Sequence, residues 1–131
     1  MTLRELRGLL PAFFFLFAFA DVTWTLAATG SERLDGKEVF AKRCSGCHGT
    51  DTSKEGPRLG GIIGRKAGSV AGFQYSDALR SSGIVWNEDL VNKWLENPER
   101  LVKDNDMDFH VSNPDERAAV VAYLKSLSNL K

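Results

Sequence analysis

Both cysteines of this chain lie in one five-residue stretch, Cys44-Ser45-Gly46-Cys47-His48. Two thiols separated by two residues and followed at once by histidine form the attachment pattern for c-type haem. The reason is geometric. Within one turn of chain the two sulfurs can reach both vinyl groups of a porphyrin as thioethers, and the next side chain, His48, then reaches the iron from one face. Ser45 and Gly46 are small enough for the backbone to wrap close to the porphyrin edge. Three blander readings stand beside this one: a redox dithiol, half of a zinc site, or coincidence. A thioredoxin-type dithiol needs no following histidine and sits in a βαβ context, of which this chain has no sign. A tetrahedral zinc site would have to recruit His110 beside Cys44, Cys47 and His48. No other cysteine exists to build a disulfide framework.

At 131 residues the chain is expected to hold one small domain behind a leader. Arg4 and Arg7 form a basic start, and Leu9 to Ala20 is an apolar run of 12 residues, the length of a signal-peptide core and short for a membrane span. Ala18-Phe19-Ala20 offers a cleavage site near residue 20, and Ala27 or Ala28 a later one. Residues 1–28 are therefore read as a signal peptide and 29–131 as the domain. The alternative is an uncleaved N-terminal membrane anchor extended by Val22, Trp24 and Leu26, although Asp21 interrupts it. Export to the periplasm agrees with the first motif, since bacteria attach c-type haem outside the cytoplasm. Two Lys/Arg and two Asp/Glu fall in residues 1–28, which leaves fifteen of each and no net formal charge in the domain. Nothing in that balance suggests a nucleic-acid partner. A domain of about 100 residues buries only a modest core, and a covalently held porphyrin would staple it.

The pattern along the domain is helical. Asp35 and Glu38 resemble a capping box, so a first helix is predicted from near Gly36, carrying Val39 and Phe40 inward. From Gly49 to Gly72 glycine is dense and no period holds, so this stretch reads as loop. A loop that long is reasonable where it wraps a cofactor instead of packing on itself. Ser76 caps a predicted helix over Asp77–Ser82. Asn87 caps another, with Leu90, Val91, Trp94 and Leu95 on one face, ending at Asn97 before Pro98. Asn113, Pro114 and Glu116 together mark the start of the last helix, whose buried stripe is Val120, Tyr123, Leu124 and Leu127. No convincing strand is seen, and the fold class is all-α with long loops.

With these residues in place the chain resembles a class I c-type cytochrome, the family of mitochondrial cytochrome c and the bacterial cytochromes c2. The resemblance runs from about Gly36 to Leu127. Beyond the cysteine motif it rests on Gly56-Pro57-x-Leu59, Gly64-Arg65-Lys66-x-Gly68, Gly72-Phe73-x-Tyr75-Ser76-Asp77-Ala78 and Gly83-Ile84-x-Trp86. It continues through Leu95-Glu96-Asn97-Pro98, Met107-x-Phe109 and Glu116-Arg117 to Ala122-Tyr123-Leu124. It implies the small cytochrome c fold around one covalently attached haem c, with Cys44 and Cys47 as the attachment points and His48 as axial ligand. It further implies that the Pro57 carbonyl accepts the free ring N–H of His48, fixing the imidazole as expected for a metal-bound histidine. Arg65, Tyr75 and Trp86 occupy the positions that hydrogen-bond a haem propionate, a group that must be paired if buried. Singly, each has a plainer reading, as core aromatic or solvated charge. Gly36 and Phe40 match the crossing with the last helix near Val120 and Tyr123.

The resemblance also makes Met107, the only methionine besides the initiator, the sixth ligand, and a His/Met pair raises the reduction potential. A gap-filling core methionine is the ordinary alternative, but Asp104, Asp106 and Asp108 surround it; His110 is the rival ligand. The family introduces this methionine with Pro-Gly-Thr-Lys, where the present chain has Lys103-Asp104-Asn105-Asp106. Loss of proline and glycine is expected to loosen the loop, with Asn105 hydrogen-bonding toward the cofactor in place of threonine. Trp94 stands where a tyrosine often donates to the methionine sulfur, and Leu79 where an asparagine sits near the haem edge.

The function implied is one-electron transfer between redox proteins, among them a membrane oxidase or reductase or a dedicated dehydrogenase, by a monomer. No carboxylate pair, nucleophile–base set or phosphate loop points to an enzyme. The alternative is a peroxidase or gas-binding cytochrome with a labile sixth ligand. Glu99 and Asp106 stand where mitochondrial-type relatives carry docking lysines, and Arg43 and Arg100 retain positive charge.

Overall fold

A computed structural model describes residues 33–129. The expected leader, its cleavage positions and its anchor alternative lie outside the described residues. Five helices follow in order: α1 (Gly36–Arg43), α2 (Asp77–Ser81), α3 (Glu88–Glu96), α4 (Pro98–Leu101) and α5 (Pro114–Ser128). Among the described residues there is no strand, only isolated bridges between His48 and Ser53 and between Lys66 and Val85. No helix among them is long and apolar enough to cross a membrane.

The α5 helix is the axis of the domain, with α1 and α3 packed on it. Its start is built as the sequence predicts, the Asn113 side chain accepting from the amides of Asp115 at 2.8 Å and Glu116 at 3.4 Å. Val120 is wholly buried and Val121 and Leu124 nearly so, while Tyr123 and Leu127 lie at the core margin. Val121, outside the predicted stripe, widens the buried face because α5 is covered from two sides. Where α1 crosses α5, the backbones approach at Gly36. A Cβ there would overlap the Ala119 carbonyl oxygen and lie 2.8 Å from Tyr123 Cβ. Phe40 then meets Tyr123 at 5.6 Å between ring centroids.

Two boundaries differ from expectation. The predicted Asp77–Ser82 helix stops at Ser81, with Ser82 as its cap. The larger difference is α4, which the reading of Pro98 as a stop does not foresee. Asn97 is extended, with φ −162° and ψ 97°; its N–H bonds Lys93 O to close α3, and its side chain accepts from Arg100 N at 2.9 Å to open α4. Proline is favoured at the first position of a helix, whose amide needs no partner. The same Asn-Pro signal that starts α5 therefore starts α4.

Candidate cofactor site

The Cys44–His48 segment continues α1 as a tight turn: Ser45 N–H donates to Phe40 O at 3.0 Å, Cys47 N–H to Cys44 O at 3.1 Å and His48 N–H to Cys44 O at 2.9 Å. This turn leaves Cys44 buried and Cys47 exposed. Burial first, and then the nearby Cys47, pushes the Cys44 thiol up to about 11. A hydrogen bond to Glu55, at 3.5 Å, raises that of Cys47. Both shifts favour the neutral thiol in the free polypeptide.

His48 Nδ1 lies 2.7 Å from Pro57 O. A carbonyl only accepts, so Nδ1 carries the proton and Nε2 is left with its lone pair free for a metal. Burial lowers the His48 pKa and so favours the neutral ligating form, opposed in part by the Pro57 bond. One side of the ring is held close by the loop at Gly56. A Cβ at Gly56 would lie 2.6 Å from His48 Nδ1, and Gly56 N–H donates to Cys47 O at 2.8 Å to keep that strand of loop against it.

Met107 is positioned by another part of the chain. Trp94, on the buried face of α3, donates its indole Nε1–H to Met107 Sδ at 2.9 Å. The residue that replaces the family's tyrosine therefore supplies the same donation. Asn105 Oδ1 accepts from Met107 N at 2.8 Å. Contrary to expectation, Asn105 does not reach the cavity. Its Nδ2 donates to Val102 O at 2.9 Å and to Glu99 Oε2 at 3.2 Å, bonds that brace the loop. His110 is exposed and does not line the cavity.

Arg65 and Trp86 are brought together by backbone pairing, Trp86 N–H to Arg65 O at 2.9 Å and Gly64 N–H to Trp86 O at 2.7 Å. Trp86 packs edge-on against Trp94 at 5.4 Å. Tyr75 Oη accepts from Val70 N at 3.4 Å. Arg65 donates to Gly60 O at 3.1 Å and Arg58 O at 2.7 Å, and Arg58 donates to the same Gly60 carbonyl at 3.1 Å. Burial and then the neighbouring Arg58 lower the Arg65 pKa. Neither guanidinium has a carboxylate partner among the described residues. Two adjacent cations without an anion suit a carboxylate-bearing ligand. Arg58 carries no sequence signal of its own, because only folding sets it beside Arg65.

Cys44, Cys47, His48, Pro57, Arg65, Tyr75, Trp86 and Met107 all line one cavity of about 570 Å³, whose remaining walls include Leu59, Ile62, Phe73, Leu79, Val91 and Leu95. That volume falls in the ordinary range for a cofactor pocket, about 300–1,000 Å³. Two thiols, an imidazole and a thioether around an apolar cavity, with a cationic pair beside it, fit a haem. They do not form a group of three or more metal-binding His, Cys, Asp or Glu among the described residues.

Comparison with known proteins agrees. Residues 34–128 match the family model described as cytochrome c. Cytochrome c2 iso-2 of Magnetospirillum fulvum is 45% identical over 87 residues, covering 64% of this chain and 91% of that protein. Cytochrome c2 of Rhodomicrobium vannielii is 38% identical over 110 residues, covering 80% of this chain and 87% of that protein. Among solved structures, cytochrome cH from Methylobacterium extorquens superposes with a TM-score of 0.66 at 36% identity, covering 70% of this chain and 94% of that one.

Proposed function

The chain belongs to the cytochrome c family and is a mono-haem electron carrier, and on that premise we propose the residues that hold the haem and the kind of partner it serves. Cys44 and Cys47 bind the haem covalently, His48 is one axial ligand and Met107 the other. One observation carries this reading: the imidazole fixed by Pro57 O at 2.7 Å and the sulfur fixed by Trp94 Nε1 at 2.9 Å line the same cavity as both thiols.

When bound, haem supplies a one-electron redox couple that the polypeptide alone lacks. The chain's contribution is orientation. Pro57 leaves His48 Nε2 as the ligating nitrogen, and the bond from Trp94 to Met107 Sδ restricts the thioether. Leu59, Ile62, Trp86 and Leu95 make the cavity wall apolar, and Arg65, which lines it, offers charge to the propionates, with Arg58 adding positive charge behind it. A peroxidase or gas-binding role would need Met107 to leave, against the bonds from Trp94 and to Asn105.

Residues 1–28 serve on this reading as the export signal, so that the carrier works in the periplasm between an exported or membrane-bound donor and acceptor. The rim of the cavity supports a partner that is not strongly acidic. Arg43, Arg65 and Lys66 are balanced there by Glu55, Asp106 and Asp108, and Arg43 is itself paired with Glu116 at 3.1 Å. Steering by such a mixed rim is weak and little changed by salt.

Mass spectrometry and an absorption spectrum of the exported protein test the reading. The expected result is the chain plus one haem resistant to acid-acetone, with the weak far-red band of methionine bound to ferric iron. Stopped-flow oxidation across ionic strength tests the partner: a steep fall in rate with salt against an acidic oxidase would contradict it.

A further inference from the structure

The loop that carries Met107 contains one backbone conformation that its sequence does not favour. Asp104 has φ 60°, the one non-glycine residue at positive φ among the described residues. Aspartate visits this left-handed region more readily than most side chains, but at a steric cost that glycine does not carry. Such a conformation persists where its surroundings over-determine it. Here the surroundings are the carboxylate of Glu99, in the first turn of α4. Both its oxygens accept from Asp104 N at 3.2 Å, and Oε2 also accepts from Asn105 Nδ2 at 3.2 Å. With both Asn105 amide protons directed to Glu99 and Val102 O, the orientation of that side chain is set, and its Oδ1 is the atom left to receive Met107 N at 2.8 Å.

We propose that Glu99 is a positioning residue for Met107, holding the Asp104–Asn105 turn so that the sulfur is presented where Trp94 meets it. The proposal rests on Met107 being the sixth ligand. Glu99 touches neither the sulfur nor the cavity, so it acts only through the loop. Its bonds are charge-assisted, and losing the carboxylate removes all three at once. What is lost is the bias toward the bound arrangement of the loop, while haem attachment, made from the other end of the sequence, is untouched.

The test is imidazole titration of the ferric holo-protein, following the far-red band and the Soret peak. Glu99→Ala is expected to raise imidazole affinity about tenfold, the value of roughly one charged hydrogen bond. Glu99→Gln, which keeps one acceptor oxygen, should raise it only about two- to threefold. In an Asp104→Gly background, where positive φ needs no support, the effect of Glu99→Ala should shrink to about threefold. Glu99→Ala affinity within about twofold of the parent, or an undiminished tenfold effect beside Asp104→Gly, overturns the proposal. If Glu99→Ala does not accumulate, Glu99→Gln decides, and an affinity equal to the parent's overturns it. Met107→Ala separates the two readings. A parent that lacks the far-red band, or that keeps it in Met107→Ala, removes both. A band lost in Met107→Ala but indifferent to Glu99 removes only the role of Glu99.

Discussion

The two sides of the cavity are held by different kinds of contact. The hydrogen bonds made by the Cys44–His48 turn itself to the following loop are short in sequence: Pro57 O lies nine residues on, Glu55 reaches Cys47 across eight, and Lys54 Nζ reaches Ser45 O at 2.6 Å across nine. Around Met107 the side chain is held by Trp94, thirteen residues back on another helix. Its loop is pinned at its ends by Val102 N–H to Pro98 O at 2.9 Å and Val111 N–H to Leu95 O at 2.7 Å. Arg117 adds bonds to Val111 O at 2.8 Å and Ser112 O at 2.9 Å. Local restraints form with the turn itself and survive changes elsewhere. Restraints between elements exist only while those elements stay docked, so the Met107 side is the one open to variation. Against the pattern that the resemblance implies, the chain departs there, at Lys103–Asp106, and keeps to it at Cys44–His48.

The comparison is broken most severely at the thiols. Replacing Cys44 and Cys47 together by alanine is expected to abolish covalent haem, read as the bare polypeptide mass, because no other residue forms a thioether with a vinyl group. Met107→Ala should instead leave the haem attached while opening the sixth position, lowering the potential and admitting cyanide or carbon monoxide. Equal loss of haem in both variants would show that the two sides are not independent. On the His48 side, Gly56→Ala places a methyl against the ring and should cost about 3 kcal/mol, the upper range for overpacking, measured by denaturant unfolding of the holo-protein. The smallest effect belongs to Trp94→Phe, which keeps the ring packed on Trp86 but removes the donor to Met107 Sδ. A loss of about 1 kcal/mol in sixth-ligand stability is expected, read as tighter imidazole binding. An unchanged affinity would mean that the long-range bond does not hold the sulfur.

Legibility in the sequence follows the same division. The Asn113-Pro114 start of α5 is readable because a cap acts on its immediate neighbours, whereas the Gly36 crossing, which joins residues from opposite ends of the domain, came only with the family resemblance. The Asn97-Pro98 start of α4 carried an equal signal, but proline's role as a stop for α3 hid its role as a beginning. Asn105 shows the opposite case. Its residue type predicts hydrogen bonding, but which acceptors it meets, Glu99 Oε2 and Val102 O, is set by the fold. Arg58 had no pattern to reveal it, and Glu99 stood out only as a charge at a docking-lysine position, not as a partner of the loop.

The amino-acid sequence by itself pointed to a haem-attachment motif at Cys44–His48 and to a helical chain, because each rests on residues a few positions apart, while the resemblance to class I cytochromes c rested on motifs in order from Gly36 to Leu127. Only the tertiary structure decided that Trp94 donates to Met107 Sδ, that Arg58 joins Arg65, and that Glu99 holds Asp104 at φ 60°. Hydrogen bonds are short-ranged and directional, so which donor meets which acceptor is settled only when helices and loops have packed to within about 3 Å.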